Sequence, residues 1–227
     1  MSRRNIVFLL SFLVALDTSV VLAHIFFGER IHFFDLDREG NLASLVAGVK
    51  LWVLAASTFA VAFLFHFLRR AEKIRIHRLK PIIWGIAGSG FFWIGLDDMM
   101  GIHERFGFVL NNALHTGGFY GESFNWLMYY SPAIVFALAV FVFVLRDLWQ
   151  DARSSALIGA GGLFLWISSL GSELFGRHLL LQAYIDVPFY HRVSFFEEAF
   201  EMLGADLLLL AIATCVIVHV RRYVVLR

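Results

Sequence analysis

Charge is scarce in this chain and cysteine almost absent. Charged residues make up 16% of its 227 positions, against about 25% in soluble domains. Hydrophobic residues reach 59% and the mean hydropathy is +0.74. A soluble globular class is excluded on that balance. Cys215 is the single cysteine, so no intrachain disulfide can form. There is no low-complexity tract, and no polar stretch between apolar runs is long enough for a separate domain.

What is present is six long apolar runs, near residues 5–27, 42–68, 81–101, 125–148, 155–176 and 194–219. A hydrocarbon core of ~30 Å takes about 20 helical residues to cross, and each run meets that length. The fold expected is all-α: a bundle of six transmembrane helices forming one integral membrane domain over 1–227. Arg3 and Arg4 precede the first run as in a signal peptide. That run is too long for a signal h-region, and LAHIFFGER offers no small-residue cleavage site, so it reads as a retained helix.

Basic residues are unevenly shared. With the N-terminus inside, the cytoplasmic pieces hold Arg3, Arg4, Arg69, Arg70, Lys73, Arg75, Arg78, Lys80, Arg146, Arg153, Arg221, Arg222 and Arg227. The other side holds only Arg30, Arg38, Arg105, Arg177 and Arg192. The positive-inside rule then places both termini in the cytoplasm, as in a multi-pass protein of a prokaryotic inner membrane. Most acids lie on the opposite side, so a net charge of +1 conceals a molecule basic at one face and acidic at the other. The basic stretch is no more than topology requires, which argues against a nucleic-acid partner and leaves membrane lipids.

Seven carboxylates sit at the acidic ends of three apolar runs: Asp97, Asp98 and Glu104 on the third, Glu173 on the fifth, Glu197, Glu198 and Glu201 on the sixth. A charged acid at the bilayer centre costs about 2.5–3.5 kcal/mol even on insertion scales, so such residues face a bundle interior and mark function. Asp97 and Glu104, seven apart, share a face of the third helix, with His103 beside them. Glu197, Glu198 and Glu201 fall within one sector of the sixth, and His178 follows Glu173 on the fifth. Arg105, Arg177 and Arg192 are too few to neutralise seven acids, and like charges at close range cannot all ionise without a counter-ion.

The expectation is therefore an acidic site in the outer leaflet, built by the third, fifth and sixth helices and holding a divalent metal. Asp97, Asp98, His103, Glu104, Glu173, His178, Glu197, Glu198 and Glu201 are the candidate ligands. An oxygen-rich set with one or two imidazoles favours Zn, Fe, Mn or Ca over Cu(I). A ferritin-like di-iron site is not expected, since Glu-x-x-His on two helices is missing. Glu201 and Glu104 are the candidate proton-moving residues of any catalysis.

Three other features carry polar chemistry. Asp35, Asp37, Glu39 and Asn41 open like a calcium loop, but Val46 stands where the bidentate glutamate belongs; Asn41 serves equally as a helix cap. Asp17, Lys50 and Asp206 all fall near mid-membrane and form a candidate intramembrane ion pair. Asp17 and His24, seven apart, share a face of the first helix. The glycines of WGIAGSGFFWIGL and LIGAGGLFL read as spacers for close helix packing. Trp84, Trp149 and Trp126 suit interfacial belts, and Trp52, Trp93 and Trp166 the core. No clear internal repeat and no motif recurring between the halves is seen, which leaves inverted repeats of three helices open in principle.

Three stretches, DLDREGN, DDMMGIHE and EEAFEMLGA, together resemble a family of uncharacterised prokaryotic polytopic membrane proteins with the pattern Asp-Leu-Asp-x-Glu-x-Asn, Asp-acid-x4-His-Glu and Glu-Glu-x2-Glu-Met-x-Gly. The resemblance covers most of the chain and implies no activity. A more distant likeness, through Asp37, Glu39 and Asn41, is to the alkaline ceramidase superfamily of intramembrane zinc hydrolases. That superfamily's His-x-x-x-His pattern is not matched here, and six helices stand where it has seven.

Three functions are consistent with these residues. One is a metal-dependent intramembrane enzyme acting on a lipid or other apolar substrate, with metal activating water. Another is a proton- or cation-coupled transporter that uses Asp17, Lys50 and Asp206. The third is an accessory subunit of a larger membrane complex or homo-oligomer.

Overall fold

A computed structural model describes residues 3–28, 30–34, 36, 41–70, 78–114, 125–181 and 187–220. Seven α-helices and one short 3₁₀ turn make up the described residues, with no strand among them. The helices are α1 (Arg3–Phe27), α2 (Leu42–Arg70), α3 (Leu79–Met100), α4 (Ile102–Leu114), α5 (Asn125–Asp151), α6 (Arg153–Leu181) and α7 (Val187–Val220); the 3₁₀ turn is His32–Phe34. Six of them, all but α4, are long and apolar enough to cross a membrane. The third, fifth and sixth runs of the sequence are thus α3, α6 and α7. Phe8, Phe63 and Phe164 stand 67–74% exposed on the outside of the bundle, where a soluble protein would not leave such surface uncovered. The chain is a multi-pass membrane protein.

Two hairpins form the frame: α2 packs along α3, and α6 along α7. α7 also lies against α1 and α2, while α5 bridges α3 and α6. Trp84, Phe65, Leu54, Leu148 and Leu208 fill the centre, each under 3% exposed. Both hairpins approach backbone to backbone. A Cβ on Gly95 would stand 2.9 Å from the Gly48 carbonyl oxygen, and one on Gly162 would stand 2.9 Å from that of Gly204. Helices in lipid associate through such close packing because no hydrophobic force separates protein from tails.

The helix of the third run does not continue to Glu104. Gly101 adopts φ 57°, ψ 41°, a left-handed conformation that costs a Cβ-bearing residue about 1–2 kcal/mol. Its N–H closes α3 on the Asp97 carbonyl, and α4 starts as a separate helix at Ile102. The expectation that Asp97 and Glu104 share one helical face is therefore corrected: they belong to different helices. α4 is about 20 Å long at 1.5 Å per residue, too short to span, and rests on α5 through Phe106 and Tyr130 (6.1 Å between centroids). Replacing Gly101 by Ala should lower stability by about 1–2 kcal/mol, read as a drop in thermal midpoint in lipid nanodiscs.

The tryptophans are partly reassigned. Trp84 is buried rather than interfacial, because its indole N–H donates to Asp147 Oδ2 at 2.9 Å. That carboxylate also pairs with Lys80 (2.5 Å), which reaches Asp151 as well (3.0 Å). Lys80 lies 5.0 Å from the Phe65 ring centre, so one polar latch ties the start of α3 to the end of α5. Trp93 is 51% exposed and outside the core. Trp149 is exposed, with Arg153 over its ring. The Trp126 side chain lies outside the described residues.

Candidate functional site

The arrangement with the strongest physical signature is the buried Asp17–Lys50–Asp206 triad. α1, α2 and α7 contribute one residue each. The Lys50 ammonium is hydrogen-bonded to Asp17 Oδ1 and lies 2.7 Å from Asp206 Oδ1. Side-chain exposures are 4% for Lys50, 9% for Asp17 and 1% for Asp206. Asp17 Oδ2 and Asp206 Oδ2 are buried without a hydrogen-bond partner among the described residues. One ammonium thus faces two carboxylates in a place nearly closed to water.

His24, about two turns beyond Asp17 on α1, does different work. The Leu36 amide donates to its Nδ1 at 3.2 Å, and the Phe34 carbonyl lies 3.3 Å from the same nitrogen. That nitrogen accepts from Leu36 in one tautomer and donates to Phe34 in the other. The imidazole pins the chain after the 3₁₀ turn to α1 and approaches the Phe195 ring of α7, 6.4 Å between centroids.

Asn41 is a cap, as one of the two sequence readings has it. Fully buried, it accepts the Ser44 N–H on Oδ1 at 2.8 Å and donates from Nδ2 to the Leu36 carbonyl at 3.3 Å. Asn41→Ala should cost about 1–2 kcal/mol through loss of the N-cap and the exposed demand of a buried carbonyl; chemical unfolding in detergent would measure it. Asp35, Asp37 and Glu39 lie outside the described residues.

The acidic ends are distributed as follows. Asp97 Oδ1 accepts the His103 backbone N–H (2.8 Å) and Oδ2 meets His103 Nδ1 (2.9 Å), so this carboxylate both caps α4 and orients the imidazole. Glu201 faces α6: Ser169 donates to its Oε1 at 2.9 Å, and Trp166 Nε1 to its backbone carbonyl at 3.1 Å. Asp206, further along α7, faces α1 and α2 instead, so these two acids open in different directions. Asp98, Glu197 and Glu198 are half-buried. Glu104 lies on α4, and Glu173 and His178 lie on α6; their side chains lie outside the described residues. Among the described residues no three His, Cys, Asp or Glu side chains gather within one metal's reach.

Set against known families, the chain matches "Domain of unknown function (DUF8692)" over residues 6–217. It belongs to this family. No curated protein and no solved structure matches it. The family carries no activity by its description, so function has to be read from the triad and the acidic ends.

The close contact within each hairpin is only half marked by the sequence reading, which takes Gly95 and Gly162 as spacers but not their partners Gly48 and Gly204. Its signal is short: Gly48-Val-Lys-Leu-Trp52 on α2 and Gly162-Leu-Phe-Leu-Trp166 on α6.

Proposed function

We propose that this family member is a proton-coupled carrier whose proton site is the Asp17–Lys50–Asp206 triad. The burial of two carboxylates on a single ammonium supports the reading. With both acids ionised the site holds a net negative charge inside the membrane, which is expensive. One bound proton makes it neutral. Such a site changes charge with each proton gained or lost, and it joins three helices that have different neighbours. In this reading both termini are cytoplasmic and the acidic ends open outward from a prokaryotic inner membrane.

The test is infrared difference spectroscopy of the whole chain in lipid during acid–base steps. Wild type should show a titrating protonated-carboxyl band. Asp17→Asn and Asp206→Asn should each abolish it, since either leaves one carboxylate for one ammonium. Glu201→Gln should keep it. An unchanged band in both aspartate variants would refute the proton site.

A second reading is favoured by the Asp97–His103 couple. A carboxylate on Nδ1 fixes the tautomer that presents Nε2 as a lone pair, the second-shell arrangement common around metal-bound histidine. His103, with Glu104, Glu173, His178, Glu197, Glu198 and Glu201, would then bind Zn, Fe, Mn or Ca, and Glu201 would move the proton in attack on a lipid, in keeping with the ceramidase likeness. Elemental mass spectrometry of protein purified without added metal or chelator should find about one divalent ion per chain, lost in His103→Gln. Wild type free of metal would dismiss the enzyme.

A further inference from the structure

The two hairpins repeat one another in detail. On α2 and α6, Gly48 and Gly162 each stand four residues before a tryptophan, Trp52 and Trp166. Trp52 Nε1 donates to the Phe92 carbonyl of α3 (3.3 Å), and Trp166 Nε1 to the Glu201 carbonyl of α7 (3.1 Å). Both acceptors stand three residues before the partner glycine, Gly95 or Gly204. A Cβ on Gly95 would meet the Gly48 carbonyl and Trp52 Cδ1; one on Gly204 would meet the Gly162 carbonyl and Trp166 Cδ1. A Cβ on Gly48 would strike the Gly95 carbonyl and Met99; one on Gly162 would strike the Gly204 carbonyl and Leu208. Met99 and Leu208 each follow their glycine by four.

The shared residues are few: Gly-x-x-Leu-Trp on α2 and α6, and Phe-x-x-x-Gly-x-Asp on α3 and α7, ending in Asp97 and Asp206. α2 is the second span and α6 the fifth, three crossings apart, so the two run in opposite directions. The Gly48 crossing lies about 9 Å from the acidic end of α2, and the Gly162 crossing about 14 Å from the basic end of α6, at 1.5 Å per residue. Each first helix packs on the other half's third: α1 on α7, α5 on α3. The relations are not all equal: α5 lies along α6 and α7 more extensively than α1 lies along α2 and α3, and the widest difference is between α2–α7 and α6–α3. α2 packs closely on α7, but its counterpart pair, α6 and α3, makes no close backbone approach among the described residues; there the Phe91 and Trp166 rings meet edge to face at 6.1 Å. The closed side is the one that holds Lys50 and Asp206.

We infer that α1–α3 and α5–α7 form an inverted repeat, and that α2 closed on α7 by the triad is one of two exchangeable states. In the other state α2 and α7 part, the triad opens, and α6 closes on α3. Inverted repeats that rock about a mid-membrane site give alternating access, and the two states differ here by which of two equivalent helix pairs is shut. The rocking step rests on the carrier reading; the repeat rests on the paired contacts alone.

Four exposed positions, Val53 on α2, Ile86 on α3, Ile167 on α6 and Leu203 on α7, report the motion. Spin labels are placed on them in pairs, in a Cys215→Ser background of the full chain in nanodiscs, and distances are read by electron–electron dipolar spectroscopy. The triad is intact or released by the neutral combination Asp17→Asn, Lys50→Met and Asp206→Asn. Asp206→Asn alone serves as a second release variant that keeps the Lys50–Asp17 pair. On release, Val53–Leu203 should lengthen by several ångströms and Ile86–Ile167 should shorten. The pairs within one hairpin, Val53–Ile86 and Ile167–Leu203, should keep their distances. Unchanged cross-hairpin distances in both release variants, or hairpins that deform as much as they separate, would overturn the inference. Failure of the proton reading shows instead in the infrared band and leaves these distances as a separate result.

Discussion

Lys50→Met is expected to destabilise the protein by about 3–5 kcal/mol, the range found when one partner of a buried ion pair is removed. Lys50 is the sole described cation touching Asp17 and Asp206, which are themselves 7% and 1% exposed. Without it, two carboxyl groups face one another in a dry site and both must take up protons or separate. The loss should be reversed in large part by adding Asp17→Asn and Asp206→Asn, because replacing a whole buried ionic group by neutral residues is often neutral or favourable. Lys50→Arg should fall between, since a planar guanidinium does not fit a pocket shaped for an ammonium. Unfolding in mixed micelles by a denaturing detergent gives the comparison. If Lys50→Met were as stable as wild type, the three side chains would not form an interdependent unit, and the lock between α2 and α7 would have no energetic basis.

The same residues show what sequence reveals and what it hides. The six spans were legible because each is a long apolar run, and burial in lipid demands little more than length and hydropathy. Asp17, Lys50 and Asp206 could be picked out as a group because a charge at mid-membrane is conspicuous against such a background. The break at Gly101 was not legible: glycines in membrane helices are common as packing residues, and only the backbone angle separates a spacer from a stop. The burial of Trp84 depends on Asp147, distant in sequence and brought close by α5. The repeat escaped because it survives only where backbones touch. Gly48, Gly95, Gly162 and Gly204 carry it together with Trp52 and Trp166, while lipid-facing positions between them have no geometric reason to match. Of the acidic ends, the sequence signalled an excess of carboxylates but not their directions, and Glu201 facing α6 while Asp206 faces α2 is decided by packing.

Those four glycines carry the second large effect. Alanine at Gly204 would set its Cβ 2.5 Å from Trp166 Cδ1 and 3.1 Å from the Gly162 carbonyl oxygen. At Gly95 the corresponding neighbours are Trp52 Cδ1 at 3.0 Å and the Gly48 carbonyl oxygen at 2.9 Å. A carbonyl fixed in a helix cannot rotate away, so the helices must separate along their whole contact. Gly95→Ala, Gly162→Ala and Gly204→Ala should each destabilise by about 1–3 kcal/mol, as overpacking does in tight cores. Gly85→Ala and Gly90→Ala provide the contrast, with nothing within 4 Å of an added Cβ; they should be neutral or gain up to about 1 kcal/mol from helix propensity. Because the two crossings share no atoms, Gly95→Ala and Gly204→Ala should add in the double variant. Trp166→Leu should couple to Gly204→Ala and not to Gly95→Ala, since the indole is the near wall of one crossing only. Unfolding midpoints for this set, measured under one detergent condition, decide the matter: equal stability of Gly85→Ala and Gly204→Ala would mean that the hairpins are not held by backbone contact, and the repeat would lose the feature that defines it.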